Sequence, residues 1–421
     1  MMGKLKINSL LLIIGLCSIA AKADNNFTNG QQLVAAGDCI SCHTAKDGAP
    51  FAGGLKMITP IGAVYSSNIT PDKTFGIGNY SYDDFVKAVR EGVAKDGRNL
   101  YPAMPYTSYA KVTDQDMRMI YDYFMTQVKP VKQASLESDI PWLISMRWPL
   151  AVWNEIYLDN SIYQADNSKS EQWNRGAYLV QGLAHCGACH TSRGIGFAEK
   201  ALDQSDQTYL TGALIDNWYA PDLTENAISG LGNWSKQDII QFLKTGHNDK
   251  NAAFGSMSDV IKNSTQYLSD EDLTSIAVYL KSLTSTSKHS ASSTTNNTTT
   301  SLVAGDMSQP GAQEYMDNCS ACHRIDGQGY TKTFPSLAGS PVVLSEKPDS
   351  LIRIVLNGSQ VPVTQDVPTG LTMPNFAWRL DDLQMANLLT FIRSSWGNNA
   401  EKVTVSDVKS VRDATTTKGK N

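Results

Sequence analysis

Cross-linking residues are scarce in this chain. Its 421 residues include only seven cysteines, and six of them fall in three short motifs. The seventh, Cys17, lies in the N-terminal apolar stretch. No thiol is left for a structural disulfide, so packed cores must hold the mature fold. Histidine is also sparse: of six in the chain, three sit in the same motifs. Basic charge is not in excess. Lys and Arg total 36 against 41 Asp and Glu, a formal net charge of −5. An acidic chain without a basic stripe argues against nucleic-acid binding. Beyond the N-terminus, no apolar run reaches the roughly 20 residues of a membrane-spanning helix. Any membrane contact is therefore expected to be peripheral or through a partner.

Lys4 and Lys6 precede an apolar run from Leu10 to Ala21, and Ala21-Lys22-Ala23 stands before Asp24. This predicts a cleaved secretory signal over residues 1–23. The run is too short for a bilayer anchor. Leu16 is too bulky for a good lipoprotein site at Cys17. Cleavage removes three lysines and makes the protein more acidic. The expected location is the periplasm, at the periplasmic face of the inner membrane.

The three motifs are Cys39-Ile40-Ser41-Cys42-His43, Cys186-Gly187-Ala188-Cys189-His190 and Cys319-Ser320-Ala321-Cys322-His323. Each reads C-x-x-C-H, the attachment pattern of c-type haem. Cys39, Cys42, Cys186, Cys189, Cys319 and Cys322 are the expected covalent anchors. His43, His190 and His323 are then placed under the ring, where imidazole ligates iron. One C-x-x-C alone fits a redox disulfide, half a zinc site or haem. Three copies, each followed by His, point to three haems c. Zinc knuckles would stand in close pairs, and these copies start at positions 39, 186 and 319. Haem c is attached outside the cytoplasm, in agreement with the signal.

The surroundings of the motifs repeat as well. Apolar residues of a short helix precede each motif: Leu33-Val34, Tyr178-Leu179-Val180 and Tyr315-Met316. A second helix follows and stops at Gly92, Gly246 or Gly358. Closing helices are predicted over Thr113–Met125, Ser269–Leu283 and Asp381–Arg393, each with a capped, acidic start. The expected fold is mainly α, with three tandem class I cytochrome c domains at 24–128, 173–283 and 305–398. The bulk of each haem makes up for a small polypeptide core. The first linker, 129–172, is rich in aromatic residues and is expected to pack across the first two domains, either wholly within the molecule or with part of it facing a partner. The second linker, 284–304, is rich in Ser, Thr and Asn and is expected to be disordered or extended, leaving the third domain free to move. The tail, 399–421, is polar and reads as solvated, the alternative being a short docking segment with Val403, Val405, Val408 and Val411.

The sixth iron ligand decides between conduction and chemistry. His289 lies in the low-complexity linker. His185 adjoins Cys186 and is badly placed for the far ring face. Met104 and Met373 sit in Pro-stiffened loops, Tyr101-Pro102-Ala103-Met104-Pro105-Tyr106 and Leu371-Thr372-Met373-Pro374. Met257 is the sole methionine between His190 and the end of its domain, with His247 as rival. Met117, Met119, Met125 and Met385 fit core filling within the closing helices. Each motif histidine should also donate its other ring N–H to a backbone carbonyl. Pro335, Pro221 and Pro71 mark the expected acceptor segments.

The chain resembles the triheme cytochrome c subunit of membrane-associated bacterial dehydrogenases. The similar segments are Pro50-Phe51-Ala52-Gly53-Gly54, Ser67-Asn68-Ile69-Thr70-Pro71-Asp72, Leu100-Tyr101-Pro102-Ala103-Met104-Pro105-Tyr106, Trp173-Asn174-Arg175-Gly176-Ala177-Tyr178-Leu179 and Trp218-Tyr219-Ala220-Pro221. The likeness covers nearly the whole mature chain. That family serves quinoprotein alcohol or aldehyde dehydrogenase and the flavin-dependent gluconate, sorbitol and fructose dehydrogenases. The resemblance implies an electron-transfer subunit with a catalytic partner carrying PQQ or FAD, and with a small subunit. Its acceptor would be ubiquinone, or a cytochrome or oxidase. The competing readings are a stand-alone, peroxidase-like multihaem oxidoreductase and a soluble periplasmic shuttle.

Overall fold

The computed structural model describes residues 29–215, 217–285 and 297–416. The expected signal over 1–23 and most of the Ser/Thr/Asn-rich linker lie outside the described residues. One helical plan recurs three times. A helix leads into each motif: Asn29–Ala36, Glu171–Tyr178 and Ala312–Asn318. A closing helix ends each repeat: Asp114–Thr126, Asp270–Leu280 and Asp382–Ser394. Thr113, Ser269 and Asp381 cap these closing helices, each side chain accepting the N–H three residues on. Opening and closing helices meet at a glycine. A Cβ on Gly30 would stand 2.6 Å from Met119 O, one on Gly176 2.0 Å from Ser275 O, and one on Gly311 2.3 Å from Asn387 O. Only a residue without a side chain permits that approach.

The middle helices stop as the sequence predicts. Ser81 and Ser235 close capping boxes, and Gly92 (φ 64°) and Gly246 (φ 83°) end the helices in the left-handed region. The small antiparallel pairings are Lys56–Thr59 with Gly62–Tyr65, Ala213–Ile215 with Trp218–Ala220, and Ser359–Gln360 with Thr372–Met373.

The first two repeats share one continuous core. Phe51, Phe85, Tyr109 and Phe124 join Trp173, Tyr178, Leu183 and Tyr279 in it. The third repeat has a separate core around Tyr315, Ile352, Leu389 and Phe391. The first linker contains the helix Trp148–Tyr157. As expected, it spans the first two repeats: Asn154 Nδ2 donates to Glu91 O (2.9 Å), and Trp153 Nε1 to Gly196 O (2.8 Å).

Three expectations are corrected. The tail is not solvated: Val405–Thr416 is a helix, and Val403, Val408 and Val411 enter the third core. Within the second linker, Thr298–Val303 is helical and Leu302 joins the same core. The third repeat does not hang free: hydrogen bonds from Ser336, Ser350 and Gln365 dock it on the second repeat.

Candidate haem centres

Each motif folds as a single helical turn. The His43, His190 and His323 N–H groups donate to the carbonyls of Cys39 (3.0 Å), Cys186 (2.9 Å) and Cys319 (2.9 Å). That turn puts thiols three positions apart on one face. All six thiols are unpaired. Burial pushes Cys39, Cys42, Cys186 and Cys319 up to about 12 and raises Cys189 as well.

Every motif histidine has its Nδ1 committed. His43 donates to Ser67 O (2.7 Å), His190 to Pro221 O (2.7 Å) and His323 to Pro335 O (2.9 Å). Two acceptors are the expected prolines; in the first repeat it is Ser67 rather than Pro71. The reason lies in the linker. Neighbouring Asn68 is held there by Ser135 Oγ (3.0 Å), Val131 O (2.8 Å) and Gln133 O (2.9 Å), which brings Ser67 O under the imidazole. Burial lowers the pKa of all three imidazoles despite these bonds. Each ring therefore stays neutral with Nε2 free, the state in which imidazole ligates a metal.

The methionines differ in setting. Met104 packs half-buried against the shared core. The linker holds its loop: Tyr106 OH donates to Asn154 Oδ1 (2.7 Å), and the Arg147 guanidinium lies 3.7 Å over the Tyr101 ring. Met373 pairs in its short strand with Ser359 and packs on the third core. Met257 is the second residue of the helix Ser256–Asn263. His247 is buried, with Nδ1 3.0 Å from Thr245 Oγ1.

The first two motifs face a common space. A cavity of about 170 Å³ is lined by Cys42, Cys189, His185, Trp153, Glu199 and Arg193, among others. Glu199 lies 3.7 Å from Arg193. Burial pushes its carboxyl up to about 7, against the pull of Arg193. Arg193 Nε is buried without a hydrogen-bond partner. Sequence reasoning set His185 aside as a ligand and missed this role. Its ring packs edge-on against Tyr109, 5.5 Å between centroids, where the two repeats meet. The doublet His185-Cys186 was the available signal. Among the described residues, no group of three or more His, Cys, Asp or Glu is arranged around a bare ion. Paired thiols on one turn and a neutral, oriented imidazole beside them fit a porphyrin, which supplies one-electron iron chemistry when bound.

The Cytochrome c family matches three times, over residues 27–127, 174–284 and 308–396. The chain belongs to the cytochrome c family. Among similar cytochromes, the gluconate 2-dehydrogenase cytochrome c subunit of Pantoea cypripedii is 51% identical over 96% of this chain and 94% of its own length. The cytochrome c subunit of the quinone alcohol dehydrogenase of Gluconobacter oxydans is 45% identical, covering 91% and 81%. The fructose dehydrogenase cytochrome subunit of Gluconobacter japonicus is 37% identical, covering 92% and 82%. This cytochrome c is an electron-transfer protein with covalently bound haem c, and its three matched domains correspond to three haems.

Proposed function

We propose that this cytochrome takes electrons from a partner dehydrogenase carrying PQQ or FAD. It relays them through three haems to ubiquinone, or to a downstream cytochrome or oxidase. A small subunit completes the complex at the periplasmic face of the inner membrane. Cys39 and Cys42, Cys186 and Cys189, and Cys319 and Cys322 attach the haems. His43 with Met104, His190 with Met257 and His323 with Met373 are the axial pairs. The observation that supports this reading is the repetition of one arrangement: a histidine oriented by a backbone carbonyl, with a methionine in each repeat. Iron with two protein ligands has no position for substrate, so it conducts electrons.

A peripheral contact is supported by the linker. Trp142 (78% exposed), Leu143, Met146, Trp148, Val152 and Ile156 form an uncovered apolar face. No helix among the described residues is long and apolar enough to cross a membrane.

Co-purification with identification of the bound subunits tests the partner. Isolation without any dehydrogenase would favour the shuttle. Paramagnetic spectra and carbon monoxide binding test the relay, and the expected result is three low-spin, unreactive haems. A high-spin haem in the second repeat, where Met257 stands on a helix and His247 is buried nearby, would favour the peroxidase-like reading.

A further inference from the structure

The second centre is held from outside its own repeat. Its histidine acceptor, Pro221, follows the strand Trp218–Ala220. Within that strand, Tyr219 N–H donates to Ser350 Oγ of the third repeat at 2.7 Å, and Ser350 Oγ–H donates back to Tyr219 O at 3.0 Å. The Arg353 guanidinium covers Trp218, 4.0 Å from the ring centre. Trp218 in turn packs on Gly255, where a Cβ would fall 2.6 Å from its ring. The methionine side repeats the pattern. Gly255 N–H donates to Ser359 Oγ and Ser258 Oγ–H to Gln360 O, both at 3.3 Å. These two residues bracket Met257. Ser359 and Gln360 also form the strand that pairs with Met373 and Thr372. The dependence runs the other way too. Ser336, next to the carbonyl that orients His323, donates its N–H to Lys250 O of the second repeat at 3.0 Å.

We propose that the second and third haem centres are a mutually braced pair. The third repeat positions both axial residues of the second centre, through Ser350 on the histidine side and Ser359 on the methionine side. The strand Ser359–Gln360 ties the two methionine segments together. This rests on Met257 and Met373 being the sixth ligands. Axial geometry and hydrogen bonding set a haem potential. A change in the third repeat therefore shifts the potential of the second haem, and the coupling is reciprocal. The first centre is braced by the linker and meets the Met257 helix at its motif turn, where Asn263 Nδ2 donates to Ser41 Oγ at 2.9 Å.

The test uses the full-length, haem-loaded protein in optical redox titrations, with the methionine-to-iron charge-transfer absorption as second readout. Met257→Leu identifies which potential belongs to the second haem. The double variant Ser350→Ala, Ser359→Ala should shift that potential and weaken its methionine signature. The variant Ser350→Thr, Ser359→Thr keeps both hydroxyls and should restore the native value. The brace is overturned if the alanine pair leaves the second potential in place, or if the threonine pair shifts it equally. Met257→Leu leaving every methionine signature intact overturns the ligand reading instead.

Discussion

The two junctions between repeats are built differently. The first and second repeats are fused through side chains: Phe124, Tyr109, Tyr178 and Leu183 belong to one apolar cluster. The second and third keep separate cores and meet largely through hydroxyls and backbone groups, as at Ser350 with Tyr219 and Ser336 with Lys250, with the Arg353 guanidinium over Trp218 beside them. An apolar junction resists separation because parting it exposes the core to water. A polar junction contributes less, since water replaces each lost bond, but it fixes direction. The first arrangement gives one folding unit carrying two haems. The second aligns a unit that folds around its own core.

Substitutions at the helix crossings should break this contrast most sharply. Gly176→Ala drives a Cβ into Ser275 O, which stands 2.0 Å from its position. We expect a loss of about 3 kcal/mol or more. Because the core is shared, the first and second repeats should melt together, leaving the third transition in place. Differential scanning calorimetry reads both transitions; a first repeat melting at its native temperature would refute the fusion. Val408→Ala acts on the other side. Val408 is fully buried in the third core, so the change should cost about 2 kcal/mol. Only the later repeat should lose stability in denaturant titrations followed by its haem absorption.

A smaller effect is expected where the fused junction is polar. Tyr178 OH of the second repeat donates to Asp116 Oδ2 of the first at 2.6 Å. Tyr178→Phe should cost about 1–2 kcal/mol, shared by both repeats. The smallest effect is a slope. Asp38, just before the first motif, is pushed up from 3.8 to about 7, chiefly by burial and also by Asp259, against the hydrogen bond from Ser41. The folded state thus holds this proton more tightly than the unfolded chain. Stability is favoured on the acid side and falls as pH rises from about 4 to about 7. Asp38→Asn should flatten thermal stability across that window and gain most above it.

Local chemistry explains what was readable in advance. Side-chain caps at Thr113, Ser269 and Asp381 and glycine stops at Gly92 and Gly246 act within a few residues, so the helix plan was legible. The histidine acceptors Pro221 and Pro335 were legible for the same reason. Contacts from distant chain were not. Ser67 replaces Pro71 because residues 131–135 hold Asn68, and no local pattern announces that. The seam uses serines indistinguishable in sequence from solvated ones. The terminal helix did leave a trace: Thr404 and Asp407 cap each other, Thr404 N donating to Asp407 Oδ2 at 2.8 Å and Asp407 N to Thr404 Oγ1 at 3.1 Å. Read with Val408 and Val411, that box would have marked a packed helix.

The sheltered thiols bear on biogenesis. Burial raises Cys39, Cys42, Cys186 and Cys319 up to about 12, so these four carry little thiolate in the closed fold. At these positions covalent loading is easier while the chain is still open than after it has closed.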